Sequence, residues 1–565
     1  MKKWVLSISL ILFVFLFTIF LGGKHPDGAQ AEPSIQNEFV PNEVLVKFKE
    51  GTGRALIQYG VEAVQGRIKT YLGREISVSE WDAQTPTLRS FFADPSLLHI
   101  KVPESVGTEA AIYLLSQNPN IEYAEKNYIG HALATIPNDT HFSKLWGLRN
   151  TGQTGGTSDA DIDAPEAWDI HTGSTNIVVA VIDSGIDYNH VDLQTNIWTN
   201  PGETGGGKET NGVDDDGNGY IDDWHGWNFV DGNNNPIDTF TGVFHGTHVA
   251  GTIGAKGNNG TGVVGVCWNV KLMALRWLNS SGSGTTANAI SAIDYSTYNG
   301  AHVSNNSWGV PDSASLLAAI DRARTNGKLF VAAAGNDNRN NDNIPTYPAS
   351  YDLDNVVSVL ATDHNDLRSP YSSWGPYSVD VGAPGGTDPY PSQATRNIYS
   401  TKRNNDYQYM SGTSMASPHT AGLVALIKAH RSSLNWWQVK TVLMKSVDPK
   451  SSLSGKCATQ GRINAYNALT TATPNLPAAP SNLNAQAFGC DVKLTWTDNS
   501  GNETGFYVYR KTGNIFIEIG YTGSNETTYW DYDLPSGAYY YYVRAYNGDG
   551  TSQKTLVKSI KLTGC

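Results

Sequence analysis

The stretch Ile177-Val178-Val179-Ala180-Val181-Ile182 is uninterrupted by any polar residue, and it decides the fold of the middle of this 565-residue chain. Largely apolar runs at residues 272–277 and 329–333 alternate with helical stretches such as residues 287–298. A strand that is apolar throughout must be covered on both faces, and strands separated by helices pair in parallel. The sequence therefore predicts an α/β fold with a parallel sheet between two layers of helices.

Composition excludes several classes of protein. Only 16% of residues are charged and 57 are Gly, which differs from a coiled coil or a charged disordered chain. The net charge of −13 argues against a nucleic-acid partner, which requires clustered Lys and Arg. Four Cys are too few for a disulfide-built scaffold.

The N-terminus has the pattern of a secretory signal peptide. Lys2-Lys3 precedes an apolar run at residues 4–21, and Ala29-Gln30-Ala31 is a small-x-small cleavage pattern. An uncleaved membrane anchor is the alternative, because the run just reaches bilayer-spanning length. We expect cleavage, an extracellular protein and no membrane contact once the protein is processed.

The two flanking regions have different secondary-structure patterns. Between residues 32 and 134, strand-like pieces and a helical piece near residues 109–115 predict a small α+β domain. Pro474, Pro477 and Pro480 mark a linker, after which short strand patterns predict an all-β sandwich. The predicted divisions are residues 1–31, 32–134, 135–472 and 473–565.

Three segments of the middle region place a reactive side chain among glycine and small residues. They are Val181-Ile182-Asp183-Ser184-Gly185, His245-Gly246-Thr247-His248 and Gly412-Thr413-Ser414-Met415-Ala416. Taken singly, Asp183 could stabilise a turn, His245 could be a loop histidine and Ser414 could cap a helix. The three segments together indicate a catalytic site far more specifically than any one of them does.

These blocks resemble the signatures of subtilisin-like serine proteases (subtilases), near the thermitase branch, over residues 137–469. The order Asp, His, Ser is also that of the subtilisin triad. The resemblance implies a seven-stranded-type parallel sheet and a catalytic triad of Asp183, His245 and Ser414, with His248 packing in a helix. It also implies that Asn336, in Ala332-Ala333-Ala334-Gly335-Asn336-Asp337, belongs to the oxyanion hole.

The chemistry of peptide hydrolysis explains these residue types. A serine hydroxyl is a poor nucleophile until an imidazole removes its proton, and the imidazole needs a carboxylate to orient it. The Gly-x-Ser-x-Ala block differs from the Gly-x-Ser-x-Gly elbow of α/β-hydrolases, which disfavours an esterase fold.

Substrate-binding residues follow from the same resemblance. Ser307, Trp308, Gly309 and Gly284 resemble edge segments that pair with an extended peptide backbone, while Gly335 and Gly309, with Thr346, line the pocket for the side chain before the cleaved bond. Because main-chain pairing tolerates many sequences, we expect an endopeptidase of broad specificity that acts on proteins and peptides.

Two loops are candidates for structural Ca²⁺. Asp214, Asp216 and Asn218 resemble the first half of an EF-hand loop, and Asp222 or Asp223 would close it, because His225 occupies the place of the usual Glu. The alternative is an acidic solvated turn.

The thermitase-like resemblance implies a second calcium site. Its ligands would be Asp139, Asp192 and Asn259, with Asn258 as the alternative to Asn259 because the loop has one extra residue. An ordinary turn is the other interpretation.

The flanking regions also resemble known modules. Residues 39–48 and 120–128 resemble parts of subtilase pro-domains, which implies an intramolecular inhibitor removed by self-processing between about residues 131 and 138, with cleavage expected around Ala134. A permanently attached accessory domain is the alternative. Residues 478–565 resemble a fibronectin type III domain, in which Cys490 and Cys565 could pair. The sequence does not decide whether Cys267 and Cys457 form a second disulfide bridge.

The leading hypothesis is thus a secreted, monomeric serine endopeptidase with an acyl-enzyme on Ser414. A zinc hydrolase that uses His245 and His248 is one alternative. An adhesion protein with an inactive protease body is the other.

Overall fold

A computed structural model describes residues 39–49, 89–91, 94–102, 106–128, 135–388 and 394–565. The chain divides into two compact units, Met1–Ala132 and Leu133–Cys565. The predicted signal peptide and the predicted processing bond near Ala134 lie outside the described residues.

The described part of the first unit is an antiparallel sheet with one helix. Its strands lie in the order β2-β3-β1-β4. Alternate residues Val44, Val46 and Phe48 point into a core with Leu114 and Leu115 of the helix, as the two-residue period of a half-buried strand requires. The elements are β1 (Phe39–Phe48), β2 (Arg89–Phe91), β3 (Asp94–Lys101), helix α1 (Thr108–Ser116) and β4 (Ile121–Tyr128).

The second unit is built around a mostly parallel sheet, which confirms the predicted α/β class. Its strands are β5 (Gly173–Asp183), β6 (Gly226–Asn228), β7 (Asn269–Arg276), β8 (Val303–Asn306), β9 (Leu329–Ala333), β10 (Val356–Thr362), β11 (Val381–Pro384), β14 (Asp448–Pro449) and β15 (Gly461–Arg462). They lie in the order β14-β15-β11-β10-β9-β8-β5-β7-β6. The described sheet has nine strands rather than the predicted seven, because the two-residue strands β14 and β15 extend one edge. A separate hairpin joins β12 (Ile398–Lys402) and β13 (Asp406–Met410).

Helices cover both faces of this sheet. Val179 and Val181 of β5 pack in one apolar cluster, whereas Ala180 and Ile182 pack in another on the opposite face, so the predicted apolar run is buried on both sides. The α-helices are α2 (Ala164–Trp168), α3 (His245–Gly254), α4 (Thr286–Tyr298), α5 (Ala314–Thr325), α6 (Thr413–His430), α7 (Trp436–Lys445) and α8 (Ala465–Thr470). Short 3₁₀ turns span Phe142–Lys144, Gln194–Asn196, Lys208–Thr210 and Ser451–Leu453.

The C-terminal part of this unit is an all-β sandwich, as predicted. One sheet has the order β16-β17-β20, and the other has the order β19-β18-β21-β22 with β23 paired to β21. Val492, Leu494 and Trp496 from the first sheet pack with Phe506 and Val543 from the second. The strands are β16 (Ser481–Phe488), β17 (Asp491–Thr497), β18 (Gly505–Thr512), β19 (Ile515–Gly523), β20 (Thr528–Asp531), β21 (Gly537–Asn547), β22 (Gly550–Thr551) and β23 (Lys558–Leu562).

All four cysteines are free thiols in the structure. The predicted Cys490–Cys565 bridge is not formed, although a hydrogen bond with the Cys565 thiol raises the pKa of Cys490, which places the two thiols side by side. Cys267 and Cys457 are buried in separate apolar clusters and do not pair. In the part of the chain that the structure describes, no helix is both long enough and apolar enough to cross a bilayer.

Candidate active site

The carboxyl ends of neighbouring strands bring several of the predicted site residues to one edge of the sheet. Asp183 is the last residue of β5, Ser307 follows β8, and Gly335 and Asn336 come just after β9. Parallel strands end at the same edge, where ligands commonly bind. Two helices begin with the remaining residues, α3 at His245 and α6 at Thr413, directly before Ser414.

Asp183 and His245 form a hydrogen-bonded pair. The Nδ1 atom of His245 lies 2.8 Å from Oδ1 of Asp183, which is fully buried and also accepts the Ser184 N–H at 2.7 Å. Burial lowers the pKa of His245, but the charge of Asp183, the hydrogen bond to Asp183 and the charge of Asp238 together outweigh this effect and leave that pKa above its ordinary value. The close packing needs glycine at position 246, because a Cβ there would lie 2.1 Å from the Gly185 carbonyl oxygen.

A second buried carboxylate holds the start of the His245 helix. Asp238 is fully buried, and its Oδ2 accepts the Thr247 N–H at 3.0 Å and the Thr247 hydroxyl at 2.8 Å. Burial raises the pKa of Asp238 to about 6, and the negative charge of Asp238 contributes to the raised pKa of His245. No motif in the sequence indicated this residue.

Ser414 is half-buried at the start of α6. Its hydroxyl donates to the Ser307 carbonyl at 3.3 Å, and the Ser307 hydroxyl donates to the Ser414 carbonyl at 3.0 Å. Among the described residues, no hydrogen bond joins Ser414 to the His245 ring. Catalytic hydrogen bonds are often long or misaligned before substrate binds, so a rotation of the Ser414 side chain is required for proton transfer.

Asn336 lies beside the same helix start with its amide oriented. Its Oδ1 accepts the Thr413 N–H and the Thr413 hydroxyl, both at 2.9 Å. The Nδ2 group would lie 3.4 Å from a Cβ on Gly412, and Asn336 is exposed. With Oδ1 satisfied, the Nδ2 hydrogens remain available to a bound group beside Ser414.

A cleft of about 400 Å³ opens next to His245. Gly284, Ser307, Trp308 and Gly309 line it, together with residues that sequence reasoning missed, including Phe240, Trp277 and Leu278. The indole of Trp308 is buried and donates to the Ile182 carbonyl at 2.9 Å, so this side chain packs inside the fold.

Gly335 lies near the cleft beside Gly309 and Thr346. A Cβ on Gly335 would lie 3.2 Å from Thr346 Cγ2, and one on Gly309 would lie 3.9 Å from the same atom. These three residues therefore form a common wall.

Three carboxylates form a cluster at the first predicted metal loop, residues 214–223. Oxygen atoms of Glu203, Asp216 and Asp223 all lie within 4.8 Å of one another. Glu203 is fully buried and its Oε2 has no partner. The Asn200 amide donates to Asp216 at 2.9 Å and to Asp223 at 2.8 Å, which holds the two together.

The predicted ligands of this loop divide into two groups. The Asn218 amide donates to Asp223 at 2.9 Å, so Asn218 adjoins the cluster. Asp214 accepts the Asn218 N–H at 3.1 Å and the Gly219 N–H at 2.8 Å, whereas both oxygens of Asp222 accept the Gly212 N–H. Glu203 was missed because it precedes the loop and no local spacing connects it to Asp216.

The residues predicted for the second metal site lie close together. Asp139 is buried, its Oδ2 accepts the Asn258 N–H at 2.7 Å, and its Oδ1 has no partner. Burial raises the pKa of Asp139 to about 6. Asp192 accepts the Asn259 side chain at 3.1 Å and the Tyr407 hydroxyl at 2.8 Å. Of the two asparagines that the sequence left open, it is Asn259 whose side chain contacts a carboxylate of the set.

Comparison with known proteins identifies the class. The family described as the Subtilase family matches residues 174–484, more than half of the chain. The chain belongs to this family and is a subtilisin-like serine protease.

Two curated relatives and one solved structure illustrate the similarity. The chain is 33% identical over 485 residues to the thermophilic serine proteinase of Bacillus sp. (strain AK1), a match that covers 83% of this chain and 99% of that protein. It is 35% identical over 335 residues to thermitase of Thermoactinomyces vulgaris, covering 59% and 99% respectively. A protease structure from Pseudoalteromonas arctica matches 59% of this chain and 98% of its own, with 32% identity and a TM-score of 0.47.

Proposed function

We propose that this protein is a secreted serine endopeptidase that is made as a self-processed precursor. The observation that carries the proposal is the 2.8 Å hydrogen bond between His245 and buried Asp183, at the edge of the sheet where Ser414 begins a helix. Asp183 orients the imidazole, His245 acts as general base and Ser414 is the nucleophile.

The catalytic steps follow from this geometry. His245 Nε2 accepts the Ser414 hydroxyl proton as Oγ attacks the peptide carbonyl, and it then donates that proton to the leaving amine. Asn336 Nδ2 and the Ser414 N–H donate to the oxyanion of the tetrahedral intermediate. Water, deprotonated by His245, attacks the acyl carbonyl, and His245 then donates that proton to Ser414 Oγ as the acyl group leaves, which regenerates the enzyme.

The cleft accounts for the substrate class. Gly284 and residues 307–309 offer main-chain groups to an extended polypeptide. The pocket of Gly309, Gly335 and Thr346, which we call the specificity pocket, receives the side chain before the cleaved bond. Such recognition is tolerant of sequence and supports broad specificity toward proteins and peptides.

Structural Ca²⁺ is part of the proposal at two places. The first site consists of Glu203, Asp216 and Asp223 with Asn218, while Asp214 and Asp222 brace the loop. The second consists of Asp139 and Asp192 with Asn259. Buried carboxylate oxygens without partners at Glu203 and Asp139 support a hard cation, which would supply the compensating charge.

The flanking regions complete the proposal. Residues 1–31 direct export, residues 32–134 inhibit the protease until they are cut away, and residues 473–565 form a fibronectin type III domain. A monomer is sufficient, because one chain provides Asp183, His245, Ser414 and Asn336.

Expression of the wild type beside Ser414→Ala tests this function. The wild type should lose residues up to about 134, whereas the variant should lose the signal peptide and retain residues 32–134, as intact mass will show. Ser432→Ala, which changes an exposed serine, is the matched control and should process normally.

Reaction with a phosphonylating reagent that modifies active-site serines distinguishes the proposed serine protease from a zinc hydrolase and from an adhesion protein. A serine protease is phosphonylated at Ser414 and then no longer digests casein. A zinc hydrolase would resist the reagent, and an adhesion protein would leave casein intact from the start; either result would overturn the proposal.

A further inference from the structure

The sandwich is joined to the catalytic part of its unit by a buried ion pair. Arg544 of β21 lies 2.6 Å from Asp354, and the two side chains are only 13% and 2% exposed. The guanidinium also packs over the rings of Trp437 and Tyr542, at 5.3 and 5.4 Å. Burial alone would raise the pKa of Asp354, but the charges of Arg544 and Lys554 and the hydrogen bonds from both residues together lower it below its ordinary value. The carboxylate is therefore held charged by its partner in the sandwich.

Two further sandwich residues hold the same segment, residues 343–354. The main-chain N–H of Lys554 donates to the Asp354 carboxylate at 3.1 Å, and the side-chain ammonium of Lys554 lies 2.7 Å from the Asp352 carboxylate. The Asn514 amide donates to the Asn343 carbonyl at 3.1 Å. The sandwich thus contacts this segment near both of its ends.

The middle of this segment is a wall of the specificity pocket. Thr346 faces Gly335 and Gly309, and the Tyr347 carbonyl accepts the Val310 N–H at 2.9 Å. The stretch between the pocket and the ion pair is internally bonded, because the Ser350 N–H donates to the Thr346 carbonyl at 2.8 Å and the Thr346 N–H donates to Ser350 Oγ at 3.1 Å. The stretch between Thr346 and Asp354 is thus short and braced, so a displacement at Asp354 can be transmitted to Thr346.

We propose that Arg544, with Lys554, is a positioning residue for the specificity pocket: the sandwich fixes the wall that selects the side chain before the cleaved bond. This inference rests on the proposed function, which assigns Gly309, Gly335 and Thr346 to that pocket. Arg544 acts through Asp354 and the Thr346 segment, so its effect depends on the size of the substrate side chain.

The test compares two peptide substrates that differ only in the residue before the cleaved bond, Ala in one and Phe in the other. Arg544→Met in the full chain should lower kcat/KM for the Phe substrate relative to the Ala substrate by about 2- to 30-fold, the usual range for such coupling. Most of the change should be in KM, because the triad is untouched.

Arg510→Met is the matched control. Arg510 lies 2.7 Å from Asp531 within the sandwich, so its loss weakens the sandwich without touching the pocket segment. This variant should lower Tm but keep the wild-type Phe-to-Ala ratio. Lys554→Met provides a second test that preserves the central pair, and it decides the question if Arg544→Met does not fold.

An unchanged ratio in Lys554→Met and in any folded Arg544→Met, even with a lowered Tm, would overturn the inference and leave the sandwich a purely stabilising role. A wild type that cleaves neither substrate would refute the proposed function, and the inference with it.

Discussion

Replacement of Glu203 by Gln should stabilise the metal-free protein and reduce the stabilisation that calcium adds. Without metal, Glu203 adds a third carboxylate to a cluster whose oxygens lie within 4.8 Å of one another. At this separation, repulsion between two unit charges is about 0.9 kcal/mol in water and about 3.5 kcal/mol near a protein surface. Because Gln removes the charge and keeps the shape, Glu203→Gln should stabilise the metal-free protein.

Calcium should stabilise the variant less than it stabilises the wild type. A site with Ca²⁺ at 100 times its Kd stabilises the fold by about 2.7 kcal/mol. If the lost carboxylate weakens binding about 100-fold, the same concentration stabilises the variant by only about 0.4 kcal/mol. At about 2 °C per kcal/mol for a large domain, the calcium-induced rise in Tm should fall from about 5 °C to about 1 °C.

Calorimetry in a Ser414→Ala background measures this effect, because that background prevents self-digestion. Each protein is scanned after dialysis against a chelator and again after calcium is restored. Asp215→Asn is the control, since it removes a charge from the same loop but at an exposed position. An equal calcium-induced rise in Tm for Glu203→Gln and Asp215→Asn would refute the assignment of Glu203 as a ligand.

Three further predictions concern the catalytic residues. Asn336→Ala should lower kcat by about 10²–10³ with little change in KM, a magnitude taken from the corresponding subtilisin donor and not worked from this structure. The acid limb of kcat/KM should lie above pH 6.5, because a raised pKa keeps His245 protonated, and inactive as a base, to higher pH. Asp238→Asn should move that limb to lower pH, because one of the charges that raise the His245 pKa is lost, whereas exposed Asp337→Asn should not move it.

The parts of the fold that could be predicted have local signals. The residues of the β5 run alternate between two apolar clusters, and a strand buried on both faces must be apolar at every position. By contrast, β14 and β15 have two residues each, too few to show a period. The edge of the sheet therefore could not be predicted from sequence pattern.

The candidate site divides in the same way. Asp183, His245 and Ser414 each stand in a short motif, so the residues that the structure gathers could be named in advance. For Trp308 the sequence could not separate a main-chain role in the cleft from a side chain packed in the core. Asp222 has a positive φ of 52°, and this backbone conformation accompanies its turn toward Gly212, leaving Asp223 in the cluster. No spacing in the sequence indicates which of Asp222 and Asp223 joins the carboxylate cluster.

The relation of the sandwich to the catalytic part shows what a linker pattern can hide. Pro474, Pro477 and Pro480 predict a separable module, yet Arg544 and Asp354 are 190 positions apart and form a buried pair. Removal of one partner from such a pair typically costs about 3–5 kcal/mol, because the other charge stays buried and uncompensated. Detachment of the sandwich would return Arg544 to water but would leave Asp354 without its counter-charge beside the pocket. The proline-rich linker thus joins two parts whose charges have become mutually dependent, and the sandwich belongs to the structure that shapes the substrate site.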